Sequence, residues 1–217
     1  MFLLFTLEYT FAVLNINKNQ VMKKVIKNSL IVIAMLGSIT SYANLIPSFH
    51  KEDAESTSLT LEHVKEGQKL IIKSENGTII YKESIKESGA YHKEFDLTSL
   101  PNGSYYFELD KDVEIQIIPF EVNNTEVTFK KNEANSIYKP IVKANKNIIS
   151  INKLSLNSEP LQVKIFFVSG DYEMILSEEI INKNNIQRVY KLLEDVNGKY
   201  KVICKTEGRT FVTHFEF

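Results

Sequence analysis

The sequence predicts an all-β protein of two tandem Greek-key β-sandwich domains behind an N-terminal signal helix. Three observations predict it. Beyond residue 58, apolar and polar residues alternate in short runs, and no stretch holds an i, i+3, i+4, i+7 apolar stripe over ten residues. Asn-Gly pairs, the strongest short-range turn signal, punctuate those runs at 76–77, 102–103 and 197–198. The pattern then recurs ninety-five residues later without a gap.

The N-terminal region is read first because it is set apart from the fold. Met22-Lys23-Lys24 and Lys27 make a basic start, and Ser29–Ile39 is an apolar run. Ser41-Tyr42-Ala43 then places small residues at the −3 and −1 positions of a cleavage site. The run is shorter than the roughly 20 residues that span a bilayer. Residues 1–43 are therefore expected to be a removable signal peptide region, leaving no stable membrane span. The signal is complete from Met22, which makes Met22 the expected true start and residues 1–21 an extension. No Cys follows the run, so a lipid-anchored form is not supported.

Cleavage after Ala43 removes four lysines and one glutamate. It leaves 22 basic and 26 acidic residues, a formal charge of −4. A mildly acidic chain without a basic cluster argues against nucleic acid as a partner. Cys204 is the one cysteine, so no internal disulfide forms and packing alone must hold the fold.

The elements follow in order. Residues 44–58 are a polar leader broken by Pro47. Lys69–Lys73 and Thr78–Lys82 flank Ser74-Glu75-Asn76-Gly77 and read as a hairpin. Tyr91–Leu97 alternates, Thr98–Pro101 connects, and Asn102-Gly103 turns the chain into Tyr105–Leu109. There Tyr105, Phe107 and Leu109 share an apolar face, and Tyr106, Glu108 and Asp110 a polar one, as a half-buried antiparallel strand requires. Val113–Val122 closes the first unit. Pro119 lacks a ladder donor, which predicts an edge or bulged strand there. Val127–Lys130 is a further short strand. Short helical turns are allowed only at Glu178–Ile181 and Arg188–Glu194.

The ninety-five-residue shift pairs Leu59 and Leu61 with Leu154 and Leu156, and Leu70 and Ile72 with Ile165 and Phe167. It pairs Asn76 with Asp171, Ile80 with Ile175, and Ile85 with Ile180. Phe95 and Leu97 meet Tyr190 and Leu192, Tyr105 meets Tyr200, and Phe120 and Val122 meet Phe215 and Phe217. Apolar positions match while outward ones diverge, as duplication of a fold leaves them. The expected division is 44–123 for the first module and 124–217 for the second, with the boundary in the polar stretch 123–135.

Asp96-Leu-Thr-Ser-Leu-Pro-Asn-Gly-Ser-Tyr105, preceded by the Leu70–Tyr81 hairpin, resembles the immunoglobulin-like sorting domains at the C-termini of bacterial type IX (Por) secretion-system cargo. The likeness runs from about Lys69 to Val122. In the second module it is confined to the hairpin and Asn197-Gly198-x-Tyr200. It implies immunoglobulin-like sandwiches and, for localisation, a secreted, periplasmic or outer-envelope protein of a Gram-negative bacterium.

No residue set points to chemistry, so no catalytic, cofactor-binding or metal residues are assigned and no cofactor is expected. His50, His63, His92 and His214 make no metal-ligand spacing. No nucleophile elbow, phosphate loop or dinucleotide fingerprint occurs. Cys204 falls in register with Leu109, which predicts a core thiol rather than a nucleophile. Acidic pairs stand at Glu52-Asp53, Glu178-Glu179 and Glu194-Asp195; a glycosidase needs two carboxyls facing each other across about 5 to 10 Å. Asp110, Asp112 and Glu114 offer oxygen ligands for Ca²⁺, but a plain charged hairpin is the preferred account of them.

The function expected is that of an exported, non-enzymatic binding or structural component of the cell envelope. Its partner is an envelope or extracellular protein, recruited by edge-strand addition. A carbohydrate partner fits less well, because the chain has no Trp for an aromatic platform. The alternatives are type IX secretion cargo and a small envelope hydrolase with an inter-module site.

Overall fold

A computed structural model describes residues 11–13, 48–51, 57–181, 183–193 and 197–217. The strands are β1 (Phe11–Val13), β2 (Ser48–Lys51), β3 (Thr57–Val64), β4 (Lys69–Ser74), β5 (Ile79–Ser84), β6 (Gly89–Phe95), β7 (Gly103–Asp110), β8 (Glu114–Asn123) and β9 (Glu126–Phe129). They continue as β10 (Asn135–Tyr138), β11 (Ile141–Asn145), β12 (Ile148–Leu154), β13 (Leu161–Ser169), β14 (Asp171–Ile180), β15 (Asn185–Lys191), β16 (Lys199–Thr206) and β17 (Arg209–Glu216). The chain is all-β, as its alternation predicts. One 3₁₀ turn, Lys131–Glu133, is the helical element among the described residues. The stretches where a helical turn was allowed are strand through Ile180 and Lys191. Of the expected signal region 1–43, residues 11–13 form β1 beside β15 and the others lie outside the described residues, as do Glu52-Asp53 and Glu194-Asp195.

The strands form four sheets, in the orders β2-β3-β6, β10-β8-β7-β4-β5 with β9 also on β8, β11-β12-β15-β1, and β14-β13-β16-β17. Pairing is antiparallel except at β1, which lies parallel to Val189–Lys191. The sheets face each other in pairs. Leu59 and Leu61 from the first sheet pack with Leu70, Ile72, Phe107, Ile118 and Phe120 from the second. Ile149, Ile151 and Tyr190 pack likewise with Val163, Ile165, Val202 and Cys204. The two cores share no residue.

The turns show why their residues are needed. Asn76 Oδ1 accepts from the Thr78 amide at 3.1 Å and from the Ser74 hydroxyl. Gly77 takes φ +85°, while Asn76 stays out of the left-handed region, so one residue of the pair carries the positive φ. Gly198 is needed for closeness instead. A Cβ there would stand 2.5 Å from Cε2 of buried Phe167, whereas at Gly103 the nearest atom is 3.7 Å away. Gly198→Ala is expected to cost about 1–3 kcal/mol, through overpacking, and Gly103→Ala much less. Urea titration of the two variants checks this; equal midpoints would refute it.

Three expectations are corrected. The gapless shift fails at the first core strand. Leu154 and Leu156 are 41% and 58% exposed, not core. In the ladders Leu59 faces Lys93 and Ile151 faces Arg188, so the partner of Leu59 is Ile151 and the offset there is ninety-two residues. Second, β9 and β10 both pair with β8, so hydrogen bonding to the first unit continues to Tyr138, past the expected boundary at residue 123. Third, the Pro119 strand is not an open edge. Its carbonyl accepts from the Lys130 amide at 2.9 Å, and Pro119 itself stands between the spans covered by β10 and β9. Antiparallel geometry turns a residue's N and C=O to one side, so the missing donor falls on that interrupted side and the β7 ladder stays whole.

Candidate functional site

Each unit must tie its two sheets together where the chain crosses from one to the other. In the first, β5 and β6 do this: Glu83 accepts from Lys93 and from the Tyr81 hydroxyl. The Lys93 hydrogen bond, chiefly, holds the Glu83 carboxyl below the usual range, and Glu83 in turn holds the Lys93 ammonium up. In the second, Glu178 on β14 accepts from Arg188 Nε at 2.9 Å and from the Tyr190 hydroxyl at 2.6 Å. Burial, then that carboxylate, pushes the Tyr190 hydroxyl up. Glu83 and Glu178, and Lys93 and Arg188, are ninety-five residues apart. Sequence reasoning missed this pair of ties although the repeat shift aligns them, because the duplication shows in the apolar positions and these are polar.

Glu108 belongs to the face read as polar and solvated, yet it is 2% exposed. Lys73 donates to it at 2.6 Å, and Arg209, from the β16–β17 hairpin, also reaches it. The outer face of the first large sheet is thus bridged to the second unit. A partner residue from a hundred positions downstream leaves no local signature. Nearby, Lys153 on β12 is fully buried and donates to the Leu154 carbonyl at 3.1 Å and to Glu207 at 2.9 Å.

A shallow groove lies beside this junction, between Lys139–Lys143 and Thr210–Thr213. Its one carboxylate is Asp112, bonded to Lys65 at 2.8 Å. The lining therefore does not build the facing pair of carboxyls that glycoside hydrolysis requires. The other acids of the turn are also committed, Asp110 to Lys139 and Glu114 to Lys111.

His50 is on β2; His63 is exposed with φ +57°; His92 lies by the Ser58 and Thr60 hydroxyls at 3.3 and 3.1 Å; His214 is opposite Lys201. Among the described residues no three metal-ligating side chains converge. Cys204 is fully buried in the second core, and burial pushes its thiol up to about 12. The unfolded thiol ionises near pH 9, so between those values the unfolded chain holds fewer protons and stability falls as pH rises. The expected result at neutral pH is slow alkylation of the native protein, accelerated by urea; rapid native labelling would refute the core assignment.

One face stands open. On the outer side of β14-β13-β16-β17, Tyr172 and Met174 are 58% and 53% exposed. Phe166 meets Tyr172 edge-on at 6.4 Å, and Lys201 Nζ stands 4.7 Å from the Tyr172 ring centre. Ile203, Lys205 and Val212 continue the face by register.

No family model matches the chain, and no curated protein does. A solved structure described as "Biofilm associated protein - BSP domain" aligns at 15% identity with a TM-score of 0.26, over 78% of this chain and 28% of that one. The chain thus spans a little more than a quarter of that neighbour's length.

Proposed function

We propose that this is an exported, non-enzymatic protein of two tandem immunoglobulin-like modules that acts through its surface at the cell envelope. The strand orders support the tandem reading. β2-β3-β6 with β5-β4-β7-β8 has the same connectivity as β11-β12-β15 with β14-β13-β16-β17. Tyr105, at the start of β7, donates to the Pro101 carbonyl at 2.7 Å, in the manner of the tyrosine corner of such sandwiches. The observation that carries the binding role is the open face of Phe166, Tyr172, Met174 and Lys201. Exposed aromatic and Met side chains are enriched at protein-recognition surfaces. The corresponding face of the first module is bridged at Glu108 by Arg209, and among the described residues it carries no comparable cluster of exposed aromatic and Met side chains.

Intact-mass measurement of the protein from periplasm, outer membrane and medium of its host tests the reading. The expected species begins at Asn44, ends at Phe217 and is found in the periplasm or envelope. A species retaining its first 43 residues would overturn the signal-peptide reading. Release into the medium after a cut between Asn123 and Asn135 would favour a type IX sorting role, and would require cleavage within the segment carrying β9.

A further inference from the structure

We infer that β17 is the self-association edge of this protein, pairing antiparallel with β17 of a second copy. The two modules differ at this strand. In the first, β8 carries β9 and β10 on its outer side, and Phe129 of β9 packs on Phe120 at 5.6 Å. Phe120 and Val122 are accordingly 1% exposed. Their counterparts Phe215 and Phe217 remain half-buried, and among the described residues no strand covers β17. The core is closed on one copy of the fold and left short of one strand on the other.

Within the strand itself the edge also carries no guard, Lys139 and Lys143 standing across the groove from Thr210–Thr213. Natural edges are protected by charge, Pro or a bulge. β14 carries Glu173, Glu178 and Glu179 and faces a register shift, and β11 carries Lys143. Thr210–Phe215 has no acidic or basic residue beyond His214, no Pro and an unbroken register with β16.

The same geometry selects a second copy. Phe217 and Gly198 exchange backbone hydrogen bonds at 3.0 and 3.1 Å. Alternation then turns the N–H and C=O of Thr210, Val212, His214 and Glu216 toward the open side. In a sheet continued through a two-fold axis, opposite residues share a face, so even-numbered residues must meet even-numbered ones. The register that pairs all four outward residues, 210, 212, 214 and 216, centres on Thr213. It sets Phe211 against Phe215, Val212 against His214, and Thr210 against Glu216. No like charges oppose each other, and the inward row joins the half-buried phenylalanines of both copies.

Sedimentation velocity on the intact protein across a concentration series tests this, together with two variants. Val212→Pro removes an outward donor without touching the β16 ladder, and His214→Lys places charge on the edge. Each is expected to weaken the dimer at least tenfold while Cys204 stays protected from alkylation, which shows that the fold is kept. Register is read by oxidation. Thr213→Cys faces its own copy across a non-hydrogen-bonded pair, where Cα atoms lie about 4.5 Å apart, close enough for a disulfide. Thr210→Cys does not face itself. A protein that stays monomeric at every soluble concentration overturns the inference. So does a dimer unaffected by both edge variants, or one that cross-links equally through positions 210 and 213. Either failure leaves the export reading standing, because precursor mass and fractionation do not depend on this edge.

Discussion

Phe107→Ala is expected to unfold the first module and leave the second folded. Phe107 is 1% exposed, and its ring lies 5.3 to 5.5 Å from those of Phe49, Phe95 and Phe120. Truncation removes the transfer energy of a buried ring and opens a cavity among aromatic neighbours that cannot all collapse into it. The cost is about 3–5 kcal/mol, comparable to the whole stability of a small domain. The two cores share no residue, so the loss stays local. Amide exchange would show it: protection at Leu70–Ile72 should fall to that of an open chain, while Val163–Ile165 and Val202–Cys204 keep theirs. Joint loss of both sets would show that the modules unfold as one unit and would refute the two-core reading.

The second large effect is expected at Glu178. Its side chain is 25% exposed and that of Arg188 14%, and its two oxygens are divided between Arg188 and the Tyr190 hydroxyl. Glu178→Ala strands a guanidinium and a phenol in partly dry surroundings, where losing a charged hydrogen-bond partner costs about 2–3 kcal/mol. The homologous change Glu83→Ala should cost no more than about 1 kcal/mol, because Lys93 is about one-third exposed and water replaces the lost partner. Paired denaturation curves of the two variants decide the matter; equal losses would mean that burial does not set the strength of these ties.

The class of the fold, the turns and the inward register of most strands were legible in the sequence. Each rests on local geometry. A strand turns successive side chains to opposite faces, so Tyr105, Phe107 and Leu109 declare their common side without reference to the rest of the chain. Asn76-Gly77 declares its turn through side-chain hydrogen bonding and one positive φ. The ninety-five-residue shift carried this reading into the second module, including Cys204 as the counterpart of Leu109. It failed where loop lengths between β-strands changed: four residues separate β3 from β4, and six separate β12 from β13. A slip of three is odd and inverts the faces, but Leu154 and Leu156 alternate as apolar residues just as Ile149 and Ile151 do, so the ladder pairing of Ile151 with Arg188 is what shows it.

Tertiary structure decided what covers each strand. Glu108 carries the outward parity of a solvated residue and is buried because Arg209 arrives from the other module. β8 has the sequence of an edge and is enclosed because the chain after Asn123 folds back on it. β17 repeats the same pattern, and among the described residues no strand pairs with its outer side. Alternation assigns a residue to one side of its own sheet; whether that side or edge meets water or protein depends on segments tens of residues away, which no local period records.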